Sequence, residues 1–165
     1  MRKELELDME TVEKLYSQIK ELIEKFTEYY RKNGNEESVE CTKLKNKLHE
    51  ITGKDVSQYN LLEHGEEGLE VLCFRISLPE PNAVNGITKE ELTEIVKRIK
   101  ESVFEMNIGN NFKELFSYYL KNYYHKLLKI NFKKYEYQFF NRQRLKNREY
   151  FEYKVEEIVE KIWEN

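Results

Sequence analysis

Four basic residues recur at alternate positions in the stretch NRQRLKNRE: Arg142, Arg144, Lys146 and Arg148. If the segment is extended, all four point the same way; if it is helical, they split into two pairs on different faces. Either geometry can meet phosphates or carboxylates, because a guanidinium grips both with paired N–H donors. The competing explanation is a solvated linker between two elements.

A second constellation lies just upstream. The segment FKELFSYYLKNYYHKLLKINFKKYEYQFF, residues 112 to 140, holds eleven aromatic residues, six lysines and one histidine against two glutamates. On a helix starting near Asn110, one face collects Phe112, Leu115, Phe116, Tyr119, Leu120, Tyr123, Leu127 and Ile130, a core stripe whatever the function. The opposite face carries Tyr118, Lys121, Asn122, His125 and Lys129 at intervals of three and four, a basic ladder headed by a tyrosine. Between Lys113 and Lys154 there are eleven basic residues against four acidic, enough to steer an anionic partner.

Few other residue sets suggest chemistry. The two aspartates, Asp8 and Asp55, are explained as cap or turn residues, so no paired-aspartate metal or phosphoryl site is expected. The three histidines, His49, His64 and His125, lack HxH or HxxxH spacing, which disfavours a locally assembled zinc site. Glu63, His64, Glu66, Glu67 and Glu70 gather in EHGEEGLE and read as a charged loop before a cation site. No GxxxxGK[ST], GxGxxG or GxSxG occurs, and six glycines leave little material for a phosphate-cradling loop. The residual enzymatic reading is a metal-free nuclease using His125 with Lys121 and Lys129. Against it, no arginine lies between Arg98 and Arg142. The expectation is therefore no catalytic residue, no metal and no cofactor.

The elements that must position these residues are mostly helical. From Asp8, Val12, Leu15, Tyr16, Ile19, Leu22, Ile23, Phe26 and Tyr30 share one stripe, with Asp8 as cap and Gly34 as stop. Almost three heptads also permit pairing with another helix, although packing inside the same domain explains the stripe more simply. A second helix is expected over 36–51, using Val39, Leu44, Leu48 and Ile51 and stopping at Gly53. The runs 56–62 and 69–78, joined by a loop with Gly65 and Gly68, read as a β-hairpin. Both prolines fall in PEPNAVNG, a stiff connection. Thr88 and Glu91 then make a capping box, with Ile87 and Leu92 at staple spacing, for a helix whose core face is Leu92, Ile95, Val96, Ile99 and Val103. Beyond Gly109 no glycine or proline occurs, which favours helices separated at Asn131 and near Asn147, the last from Tyr150 to Trp163. The alternation in KYEYQFF leaves a hairpin within 134–155 open. The fold class expected is α+β, mainly α, with about five or six helices packed around a small antiparallel β-hairpin or sheet, as a single globular domain over 1–165.

Composition bounds the function. The chain has 165 residues, 36% of them charged, and 22 aromatics supply core bulk. Its opening, MRKELELDME, lacks the apolar run of a secretory signal, and no stretch approaches the roughly 20 apolar residues of a membrane span. Cys41 and Cys73 are too few for a disulfide framework and read as reduced thiols. These features predict a cytoplasmic protein. The net charge of −3 hides a division: residues 1–80 carry 12 Lys and Arg against 18 Asp and Glu, whereas residues 81–165 carry 16 against 13. By elimination, and because tyrosine and arginine are favoured at interfaces, the function expected is a non-catalytic protein-interaction module, an inhibitor, immunity or regulatory protein with another protein as partner. The alternative is nucleic-acid binding through Tyr118, Lys121, His125, Lys129, Arg142, Arg144 and Arg148.

Overall fold

The computed structural model describes residues 1–62, 68–101 and 112–163. Among them are six α-helices and one two-stranded antiparallel sheet, the mainly helical α+β class expected from the sequence. The chain packs as two compact units.

The first unit takes its residues from Asp8–Pro79 and Gly109–Phe116. Helix α1 spans Met9–Asn33, α2 Val39–Thr52 and α3 Gly68–Ser77. Asp8 Oδ1 accepts from the Glu10 amide at 3.1 Å, and Gly34 ends α1 at φ +65°, a left-handed conformation that glycine adopts without a Cβ clash. The Ser38 hydroxyl caps α2 by accepting from the Cys41 amide at 3.2 Å, so the helix starts later than its apolar pattern suggested. Val39 is consequently exposed rather than in the core. Helix α1 packs against both α2 and α3, burying Ile19, Ile23 and Phe26 with Cys41, Leu48, Leu72, Cys73 and Ile76. The stripe of α1 is thus used inside the unit.

The hairpin expected over 56–78 does not form. A 3-10 turn at Val56–Gln58 is capped by Asp55, and the downstream run is helix α3. Leu69, Leu72, Cys73 and Ile76 lie three and four apart, and Leu72, Cys73, Phe74, Ile76 and Ser77 are all buried. A short segment covered on most sides loses the polar positions that distinguish period 3.6 from period 2, and packing then overrides the β propensity of its residues. Phe74 sits 5.4 Å from Phe112 and 6.4 Å from Tyr16, ring to ring.

The second unit takes its residues from Met1–Leu7, Glu80–Ile108 and Ser117–Asn165. Helix α4 spans Lys89–Glu101, and of α5, Phe112–Asn131, the residues from Ser117 on belong to this unit. Strands β1 (Gln143–Arg144) and β2 (Tyr150–Phe151) pair antiparallel, and α6 spans Val155–Trp163. The capping box forms as expected: the Glu91 amide donates to Thr88 Oγ1 at 3.2 Å, and the Thr88 amide donates to Glu91 Oε2 at 3.0 Å. Arg2 adds a salt bridge to Glu91 at 2.8 Å. Helices α4 and α6 pack together, with Leu92, Ile95, Val96, Ile99, Ile158, Val159 and Ile162 in a core that also holds Leu5, Tyr123, Tyr124, Leu127 and Leu128.

Asn131 ends α5 and ties down the proline-bearing connection. Its Oδ1 accepts from the Val84 amide at 2.7 Å while its Nδ2 donates to Leu127 O at 2.8 Å. Residues 134–149 hold no α-helix: a 3-10 helix at Tyr137–Phe140, within KYEYQFF, leads into the two strands, so a hairpin forms here in place of the expected helix. Helix α6 begins at Val155 rather than Tyr150, where the Lys154 amide meets Glu157 Oε2 at 2.7 Å. The expected core position Val103, and Glu63, His64, Glu66 and Glu67 of the acidic group, lie outside the described residues.

Candidate macromolecule-binding surface

The β1–β2 hairpin resolves the two geometries open to the basic cluster. Register pairs Gln143 with Phe151 and Arg144 with Tyr150. Side chains alternate across a strand, so Arg144 and Tyr150 face out while Gln143 and Phe151 face in. The inner face is fixed. Phe151 stacks edge-on with Tyr153 at 5.0 Å, Tyr153 does the same with Phe139 at 6.2 Å, and Gln143 Nε2 donates to Gln138 O at 3.1 Å.

The outer face is where cation and ring meet. The Arg142 guanidinium lies over the Tyr150 ring at 4.4 Å and that of Arg144 at 5.9 Å. Tyr150 is 53% exposed and Leu145, at the start of the turn, 43%. The Leu145 amide donates to Glu149 O at 2.8 Å and the Arg148 amide to Leu145 O at 3.0 Å, closing the turn. Arg148 has φ +71°, the one non-glycine residue with positive φ among those described. A side chain there costs about 1 kcal/mol or more.

Part of the charged surface is internally paired. Arg2, Lys20, Lys89, Arg98, Lys100 and Lys126 each meet a carboxylate. Among the described residues, Arg142, Arg144, Lys146 and Arg148 form no ion pair. All four are exposed, and Arg142 and Arg144 lie over the Tyr150 ring rather than against a carboxylate.

The ladder on α5 is placed differently. Tyr118 is exposed and meets Tyr119 edge-on at 5.1 Å, and Lys129 is exposed. His125 is not on a solvated face: it is 6% exposed, within ring contact of Tyr137 at 4.6 Å and Phe140 at 4.8 Å. Its Nδ1 lies 2.8 Å from the Tyr135 hydroxyl, and its Nε2 is buried without a hydrogen-bond partner. Burial, with Lys121 adding to it, pushes the His125 pKa down to about 4. Burial likewise raises the Tyr135 hydroxyl to about 12. Lys121 is half-buried and its pKa is lowered, first by desolvation and then by Lys100. Ile130, expected in the core, is instead half exposed, while Tyr124 and Leu128 are buried.

The structure therefore brings Arg142 and Arg144 together on one ring, sets Arg148 in the adjoining turn and withdraws His125 from solvent. Sequence reasoning missed Tyr150 and Tyr137, the latter 54% exposed over His125. The available signal for Tyr150 was the weaker alternation of REYFEYKV, residues 148–155. Cys41 and Cys73 are buried free thiols, and burial raises the Cys73 pKa to about 12, which suppresses the reactive thiolate. Among the described residues no group of three or more His, Cys, Asp or Glu is placed to hold a metal ion, and no helix is long and apolar enough to cross a membrane. No protein-family model matches the chain, and no curated protein or solved structure matches it either.

Proposed function

We propose that this is a non-catalytic, cytoplasmic protein-interaction module, an inhibitor, immunity or regulatory protein, whose contact surface is the β1–β2 hairpin. The observation that carries the reading is the exposed Tyr150 ring covered by Arg142 at 4.4 Å on a face with no ion pair of its own. Tyrosine and arginine supply large contact area and bidentate hydrogen bonds, and both dominate binding hot spots. Stacking the guanidinium on the ring lowers the side-chain entropy lost on binding while its N–H edges stay free. The left-handed Arg148 adds support, because strain kept at an exposed turn marks a residue whose side chain has a use.

Site-specific photo-crosslinking tests this. A photoreactive side chain at Leu145 should yield one discrete protein adduct in native lysate, weakened by Arg142→Ala with Arg144→Ala. The same group at Val39, exposed on α2, should not. No adduct at position 145, or equal adducts at both positions, would overturn the assignment.

A further inference from the structure

We infer that the hairpin's partner presents an acidic, extended segment whose carboxylates are gripped by Arg142 and Arg144, with an apolar side chain against Leu145. This rests on the interaction reading above and specifies the partner's chemistry. Two observations favour a protein carboxylate over a nucleic-acid phosphate, although a guanidinium fork fits both.

The Tyr150 face that a base would stack on is already occupied by Arg142 at 4.4 Å. Tyr137 is likewise turned toward His125 at 4.6 Å. Base stacking, the largest sequence-tolerant term in single-strand binding, therefore finds these ring faces engaged. Leu145 is 43% exposed at the tip, where an aliphatic group gains nothing from phosphates and buries well against another protein's apolar side chain.

Geometry sets the segment's form. Arg144 lies in β1 and Arg142 just before it; two residues of extended chain span about 6.6 Å, which matches acidic residues at alternate positions of an extended peptide. Lys146 and Arg148, both exposed, continue the charge into the turn.

Fluorescence anisotropy with a labelled 12-residue peptide of alternating glutamate and serine is the direct measurement, with the full chain as receptor. The glutamate peptide should bind, its glutamine counterpart should not, and a 12-residue oligothymidylate should bind more weakly than the glutamate peptide. Arg142→Ala with Arg144→Ala should weaken the glutamate peptide at least tenfold. Lys97→Ala with Lys133→Ala removes two exposed charges elsewhere in the same unit and should shift it less than twofold. Tighter binding of the oligonucleotide, equal binding of the glutamine peptide, or equal losses in the two double variants would each overturn the inference. If position 145 gives a protein adduct and the glutamate peptide does not bind, the acidic-partner inference falls alone. If the peptide binds and position 145 gives no adduct, the interaction reading falls and takes the inference with it.

Discussion

His125 Nδ1 lies 2.8 Å from the Tyr135 hydroxyl, while Nε2, on the other side of the same ring, is buried without a hydrogen-bond partner. A proton added to this imidazole would place a charge among Tyr135, Tyr137 and Phe140, with Lys121 one helical turn earlier. The folded state therefore holds the His125 pKa down to about 4, against about 6.5 for a solvated histidine. Between those values the unfolded chain binds the proton and the folded chain does not, so stability falls as pH drops from about 6.5 to about 4 and this contribution levels off below. The loss is of order 2 kcal/mol. Urea unfolding at pH 7 and pH 4.5 should show it, and His125→Phe should remove that part of the pH dependence even where it changes stability at pH 7. An unaltered difference between the two pH values in the variant would refute the assignment.

Tyr135→Phe tests the other half of the pair. Removing the hydroxyl leaves both imidazole nitrogens buried without a partner, a loss of about 1–3 kcal/mol. Adding His125→Phe then deletes the polar group that was left unpaired. The double variant should lose less than the sum of the two single variants, read as unfolding free energies from denaturant melts. Strict additivity would mean that the hydroxyl and the ring do not interact.

How far the sequence anticipated this arrangement depends on whether the deciding contact is local. The Thr88 and Glu91 capping box, the Asp8 cap and the Gly34 stop involve residues two to four apart, and each was legible from residue type and spacing. Helix α3 was not, because a run buried on most sides carries no polar face to set its period. His125 was misplaced for a tertiary reason. Its spacing with Lys121 and Lys129 describes one face of α5, but whether that face meets water depends on Tyr135, Tyr137 and Phe140 folding back over it, and no local rule announces this. The hairpin was half legible: the alternation of Arg142 and Arg144 was visible, while Tyr150 as their shared ring followed only from the strand register.

Glu91 provides an electrostatic check on the amino-terminal anchor. The Arg2 guanidinium, first, and the Thr88 amide, second, hold its carboxyl down to about 2. A carboxyl-carbon NMR titration should find its midpoint near that value, and Arg2→Ala should return it toward the ordinary glutamate range. An unchanged midpoint in the variant would mean that the pair at 2.8 Å does not persist in solution.

Arg148 sets stability against binding at a single position. Its φ of +71° lies in the region where a Cβ clashes with the backbone, so Arg148→Gly should relieve the strain. Glycine also raises the entropy of the unfolded chain, which offsets part of the gain and leaves a net stabilisation of roughly 0.5–1 kcal/mol. The hydrogen bonds that close the turn come from main-chain atoms and are untouched by the change: Leu145 N to Glu149 O at 2.8 Å and Arg148 N to Leu145 O at 3.0 Å. The hairpin should therefore persist, visible in an unaltered cross-strand nuclear Overhauser pattern between Arg144 and Tyr150. Affinity for the glutamate peptide should fall two- to fivefold, because one of four exposed cations is removed from a site that depends chiefly on Arg142 and Arg144. A variant that is more stable and binds less tightly would show the strain to be retained for the side chain. A variant that is more stable and binds as well would show that the turn tolerates arginine without using it.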